Sequence, residues 1–229
     1  MKRWLILLAW GFAACAWAQE PPPHGPAPEW VRPVTLDPPT PAGADAFRFE
    51  LMETQIRVDD DGTHIYTRQR FRLLSTQALT ALGSVGIPWD PASQSLTIHE
   101  VSLLRGDQTI DVLDSQQFTV IRREGALEAA RMDGIMTAVL AVNDLRVGDI
   151  LEFSHTTTTR QPILDGHAEF FQMAAPMVPL GRMYFRADWP ADRAIRLSAT
   201  PDWAAPAPAR RSVRDRDRHE GPDSLGSAE

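Results

Sequence analysis

The stretch FRFELMETQIRVDDDGTHIYTRQRFRL, residues 47–73, decides the fold class. Phe47, Phe49 and Leu51 recur at every second position, the period of a strand that buries one of its two faces. Ile56 and Val58 carry the alternation on in the opposite phase, so a β-bulge is expected near Met52. Asp59-Asp60-Asp61-Gly62 supplies turn chemistry, and Ile65, Thr67, Gln69, Phe71 and Leu73 line one side of a return strand. Residues 46–75 therefore read as a β-hairpin.

The same texture continues downstream. Residues 95–104 and 109–113 flank Arg105-Gly106-Asp107-Gln108, with Val101, Leu103, Ile110 and Val112 as apolar anchors of a second hairpin. Further strands are predicted at 117–123, 135–142, 149–159, 167–174, 182–189 and 194–199. Asn143, Arg146-Val147-Gly148-Asp149 and the run from Pro162 to Gly166 form the turns between them. One short helix is predicted at 125–132. About ten short strands with turn signals between them predict an all-β, antiparallel β-sandwich-like domain over residues 46–200. Alternation of this kind implies one sheet face on the core and the other in water.

The flanks have a different character. Met1-Lys2-Arg3, the apolar run Trp4–Ala14 and Ala16-Trp17-Ala18 are the three parts of a secretory signal, residues 1–18, cut between Ala18 and Gln19. The run is shorter than the roughly 20 apolar residues a membrane span needs. Cys15 follows Phe12-Ala13-Ala14 in a degenerate lipoprotein box, and acylation there would anchor the chain to a membrane instead. Residues 19–45 are a Pro-rich arm or linker, interrupted by Trp30 and Val31, which are candidates to dock on the domain. Residues 201–229 hold too few apolar side chains to offset ordering entropy and are expected to be disordered. They read as out-of-frame sequence or the end of a truncated copy.

Lys2 is the only lysine. After signal removal, 21 arginines face 30 acidic residues, a formal charge of −9. That balance argues against nucleic acid and anionic lipid as partners. Cys15 is the one cysteine of the chain, so the exported part has no disulfide, no thiol nucleophile and no cysteine metal site.

The remaining motifs favour structure over chemistry. Arg105-Gly106-Asp107 is what a hairpin loop demands. Asp59-Asp60-Asp61-Gly62 lacks the spaced oxygen ligands of a calcium loop. His99-Glu100 has Leu103 where a zinc peptidase needs its second histidine, and His167-Ala168-Glu169 has no later cysteine pair. His155 shares its phase with Leu151 and Phe153 and reads as a core or sheet residue. Asp149 and Glu152 lie at opposite parity, so that pair does not converge as glycosidase acids would. No catalytic, metal or cofactor-binding residue is assigned.

Together, Asp90-Pro91, Gln94, Leu96, Ile98-His99, Val101, Arg105-Gly106, Ile110-Asp111, Arg123-Glu124, Gly134, Asp144, Arg146-Val147-Gly148-Asp149 and Glu152 resemble a bacterial family. It is the domain of unknown function found N-terminal to transglutaminase-like domains in exported proteins. The resemblance covers about residues 46–200 and implies a periplasmic or secreted, non-catalytic accessory domain. Its implied partners are a transglutaminase-like domain, which supplies a catalytic cysteine absent here, or a peptide-like substrate. Trp30, Arg123 and Glu124 are the candidate interface residues. Two rivals stand beside it, a periplasmic hydrolase using carboxylates and a lipid-tethered interaction module.

Overall fold

A computed structural model describes residues 20–36, 45–122, 134–160, 169–171, 180–194, 196 and 225–228. Ten strands and one short helix build two sheets. The chain runs β1 (Phe47–Asp59), β2 (Gly62–Leu73), α1 (Thr76–Ala81), β3 (Ser84–Trp89), β4 (Gln94–Arg105) and β5 (Gln108–Asp111). It continues with β6 (Thr119–Arg122), β7 (Met136–Ala141), β8 (Ile150–Thr159), β9 (Leu180–Pro190) and β10 (Leu225–Ala228). The large sheet has the order β10-β9-β1-β2-β8-β4-β5, and the small one β3-β7-β6. The all-β, sandwich-like architecture is thus as expected, with antiparallel pairing at every junction except β1–β9, which is parallel.

Both predicted hairpins form. The register of β1 on β2 slips between Phe49 and Leu51, so the bulge falls at Glu50, close to the predicted place. Gly62, at φ +135°, closes that turn, and Gly106, at φ +58°, closes the one between β4 and β5. The β4–β8 register slips in its turn between Ile98 and Glu100, at His99.

The core lies between the sheets. Leu96, Ile98, Val101 and Leu103 of β4 and Leu151 of β8 meet Val85, Ile87 and Trp89 of β3 and Ala138 and Leu140 of β7. A smaller cluster of Ile56, Val58, Ala187 and Trp189 continues it under β1 and β9. Burying side chains of this size contributes about 1.5–3 kcal/mol each before ordering entropy is set against it.

Several expectations need correction. Strand β3 and helix α1 were not foreseen, because Gly86 and Pro88 interrupt the apolar run of β3 and α1 is barely more than a turn. Pro88 is tolerated since β3 is an edge strand. Ile110, read as a core anchor, is 38% exposed because β5 ends the large sheet. Residues 169–171 carry no strand; the rest of the predicted strand at 167–174 lies outside the described residues. So do the helix at 125–132 and most of the strand at 194–199. The tail differs as well. Leu225–Ala228 pair with Ala187–Pro190 as an added antiparallel strand instead of remaining unstructured. No helix among the described residues is long and apolar enough to cross a membrane.

Candidate functional site

The face of the large sheet that turns away from the core is polar, and its middle is dry. Gln55 is 0% exposed, Glu53 1% and Glu152 3%, with Ser102, Ser154, Thr156, Arg186 and Asp188 also buried. This corrects the expectation of one buried and one solvated face. Register assembles the group. Glu53 pairs with Arg68 and Gln55 with Tyr66 across β1–β2, while Arg68 meets Ser154 and Arg70 meets Glu152 across β2–β8. Ser102 of β4 lies beside Glu152, and Arg186 of β9 beside Gln55.

Charge alternates along this face. Arg68 Nε donates to Glu152 Oε1 at 2.6 Å and Arg70 Nη1 to Glu152 Oε2 at 2.8 Å. Arg70 Nε donates to Glu50 Oε2 at 2.9 Å, and Arg72 Nε to Glu50 Oε1 at 2.5 Å. Buried charges need partners of this kind, since an unpaired one costs several kcal/mol. Burial alone would lower the Arg68 pKa, but Glu152 outweighs it and the guanidinium is held charged. Glu53 differs. Its Oε1 accepts a 2.5 Å bond from Gln55 Nε2, while Oε2 has no hydrogen-bond partner and stands 3.7 Å from Arg68 Nη1. Burial pushes the Glu53 carboxyl up, against the pull of Gln55 and Arg68. Tyr66 is pushed up to about 12, chiefly by burial. Arg186 and Asp188 pair with each other, and burial works against both charges, lowering the first and raising the second.

The Pro-rich arm lies against this face. Ile98 N donates to Pro23 O at 2.9 Å, and Gly25 N donates to Ile98 O at 3.0 Å. The bulge turns His99 toward the arm, where Nδ1 lies 2.9 Å from Gly25 O and Nε2 2.7 Å from Thr156 Oγ1. The His99 ring stacks on Tyr66, centroids 5.8 Å apart. Gln55 grips both main-chain groups of Arg32, accepting from its N–H at 2.9 Å and donating to its carbonyl at 2.7 Å. Arg186 donates to Trp30 O at 3.3 Å, and Arg182 to Thr35 O at 2.9 Å.

Beside Trp30 an open depression of about 470 Å³ is lined by Glu29, Trp30, Arg57, Asp59, Asp61 and His64. His64 Nε2 lies 3.0 Å from Asp59 Oδ1, and Nδ1 3.0 Å from Thr158 Oγ1. Burial opposes the Asp59 charge, but His64, the Asp61 amide and Arg57 prevail and its pKa is lowered. Among the described residues no group of three or more His, Cys, Asp or Glu is placed to hold a metal ion.

The residues singled out in the sequence divide cleanly. Ala18, Gln19, Cys15, Arg123 and Glu124 lie outside the described residues. Trp30 is half-buried and does dock on the domain, through its carbonyl and the wall of the depression. Asp149 and Glu152 have separate surroundings. Arg105 forks onto Asp149 at 2.9 and 2.7 Å and reaches Asp144 Oδ2 at 3.0 Å. Asp149 Oδ2 also accepts from Arg146 N at 2.9 Å. The Arg105 bond leads in lowering the Asp149 pKa, against burial. The Gly148 amide donates to Leu73 O at 2.8 Å and Leu73 N to Asp149 O at 2.9 Å. The Arg146–Asp149 run thus ties the end of β2 to the start of β8, a structural task. Glu53, Gln55, Arg68 and Arg70 escaped notice. The visible signal was His64, Tyr66, Arg68, Arg70 and Arg72 at every second position, a basic stripe facing Glu50, Glu53 and Glu152.

A two-sheet all-β domain with an enclosed polar face defines the class. The family model "Domain of Unknown Function with solved-structure structure (DUF3857)" matches residues 59–220, and the chain belongs to that family. Among solved structures, the chain is similar to one described as a putative protease from Parabacteroides distasonis ATCC 8503. Identity is 12% at a TM-score of 0.57, covering 81% of this chain and 35% of that one. The likeness is one of fold, and the chain spans about a third of that structure's length. No curated protein matches the chain.

Proposed function

We propose that the chain is an exported, non-catalytic accessory domain that works in the periplasm beside a transglutaminase-like domain. Its role there is to position a peptide-like substrate or to pack against that partner. The observation that carries this reading is the enclosed polar face, whose side chains hold main chain and whose acid Glu152 is engaged by two arginines. A guanidinium stays protonated and an arginine-clamped carboxylate is a poor proton shuttle, so the face suits binding better than acid–base work. The solved structure described as a putative protease fits the same view, since this fold makes up 35% of it. Cross-linking in exported fractions should recover a protein with a transglutaminase-like domain. Cross-links confined to other classes of protein would count against the proposal.

One observation favours a second reading, a hydrolase using carboxylates. Glu53 and Glu152 both approach Arg68, and burial pushes the Glu53 carboxyl up, as a general acid requires. Amide or glycoside hydrolysis by the purified chain, surviving thiol-blocking reagents and abolished by Glu53→Gln, would establish it.

A further inference from the structure

We infer that the polar face is a surface that reads main chain, and that arm residues 23–35, which turn at Pro28–Val31, occupy it as an exchangeable ligand. A free proline-containing peptide with N–H groups in matching places would bind there in trans. The inference deepens the accessory reading by naming what the face holds. It rests on that reading only for a binding role, not for coupling to a cysteine-dependent domain.

Among the described residues, seven hydrogen bonds join the domain to this arm, from Ile98, His99, Gln55, Arg186 and Arg182, and all seven end on main-chain atoms of the arm. Main-chain bonding gives affinity without demanding particular side chains, as in strand addition to a sheet. Among the described residues the domain reads the arm's N–H groups at two positions, Gly25 and Arg32, while Val31 N donates within the arm to Pro28 O. Pro26, Pro28 and Pro33, which lack that donor, fall where none is read. Prolines also fix φ in advance and so reduce the ordering cost of docking.

The two sides are built differently. No described residue of the arm, 20–36, is fully buried, and its apolar side chains Trp30, Val31, Val34 and Leu36 are half-buried. The domain side is enclosed: Gln55 is fully buried, and its amide donates to Glu53. His99 is likewise held between Thr156 and Tyr66. A preorganised set of donors and acceptors facing a segment with no fully buried residue is the arrangement of a receptor and its ligand.

The test uses the full chain with a specific protease site placed within residues 37–44, cut after folding. A fluorescent peptide of residues 20–36 should then replace the severed arm saturably, at micromolar concentration. N-methylation of the peptide at Arg32, which removes the N–H that Gln55 accepts, should weaken binding about tenfold or more, the worth of one to two hydrogen bonds. Alanine in the peptide in place of Glu29 should change it less than about threefold, under 1 kcal/mol. No saturable binding by a folded cut chain, or equal binding of the N-methylated peptide, overturns the inference. Loss of fold on cutting overturns it too, since the arm would then be a structural strand. None of these outcomes bears on recovery of a transglutaminase-like partner, so the two readings fail separately.

Discussion

Arg68 and Glu152 meet across the pairing of β2 with β8, their side chains 2.6 Å apart, with 23% of the arginine side chain exposed but only 4% of the acid. The acid is therefore the member that cannot be removed without consequence. Glu152→Ala would leave Arg68 and Arg70 without their shared counter-charge on an enclosed face. It should cost about 3 kcal/mol, the lower end for breaking a buried pair, because both guanidiniums keep some water. Urea denaturation at neutral pH measures this, and a cost below about 0.5 kcal/mol, typical of surface sites, would contradict it.

Phe153 tests the strand phase. It packs against the core and stacks on Phe71 at 6.0 Å with an interplanar angle of 16°. Phe153→Ala should destabilise by about 3 kcal/mol, at the low end for aromatic truncation because the ring is only partly buried. Guanidinium unfolding gives the value directly.

Two glycines should respond unequally to alanine. Gly106, at φ +58°, has nothing within 4 Å of an added Cβ, so Gly106→Ala should cost about 1 kcal/mol of backbone strain. At Gly62, φ is +135° and a Cβ would stand 2.4 Å from the Thr159 carbonyl oxygen. Gly62→Ala should cost about 3 kcal/mol or more, since strain and a backbone clash add. Similar melting temperatures for the two variants would mean that the β2–β8 approach is looser than described.

His155 should make the fold acid-sensitive. Burial, with a smaller contribution from His99, lowers its pKa from 6.5 to about 4, and its Nδ1 has no hydrogen-bond partner. A depressed histidine stabilises the fold fully above its unfolded pKa, and that stability is lost as pH falls from 6.5 through 4. At about 1.4 kcal/mol per pKa unit the loss is at most about 3.5 kcal/mol. His155→Leu should flatten the stability profile across that window while changing little at pH 7. An unchanged acid slope in the variant would assign the sensitivity elsewhere.

Export has its own readout. If the proposed export holds, mass spectrometry of the protein from a periplasmic fraction should show Gln19 at the N-terminus. An acylated Cys15 at that position would favour the tethered module.

Legibility in the sequence followed the range of the forces involved. The hairpins at 46–75 and 95–113 were readable because period-two alternation and turn residues such as Gly62 and Gly106 act locally. Strand β3 was hidden because Gly86 and Pro88 break the apolar run, and only its edge position makes them acceptable. Parity placed Glu53, Gln55, Arg68 and Glu152 on the face opposite the core, but parity cannot reveal what covers that face. The arm residue that Gln55 holds, Arg32, lies 23 positions earlier in a stretch that reads as linker. The long-range order of the strands was equally invisible, since nothing in β9 announces a parallel neighbour.

That parallel neighbour governs how the domain is made. Phe49 of β1 pairs with Leu180 of β9, 131 positions further along the chain. An emerging chain can close β1 on β2 at once, but the far edge of β1 stays open until almost everything else has appeared. Contacts of such sequence separation form slowly, and an open edge is a template for strands of other chains. The protein's exposure to aggregation is thus concentrated in the interval before its ninth strand arrives, a matter of timing that equilibrium stability does not reveal.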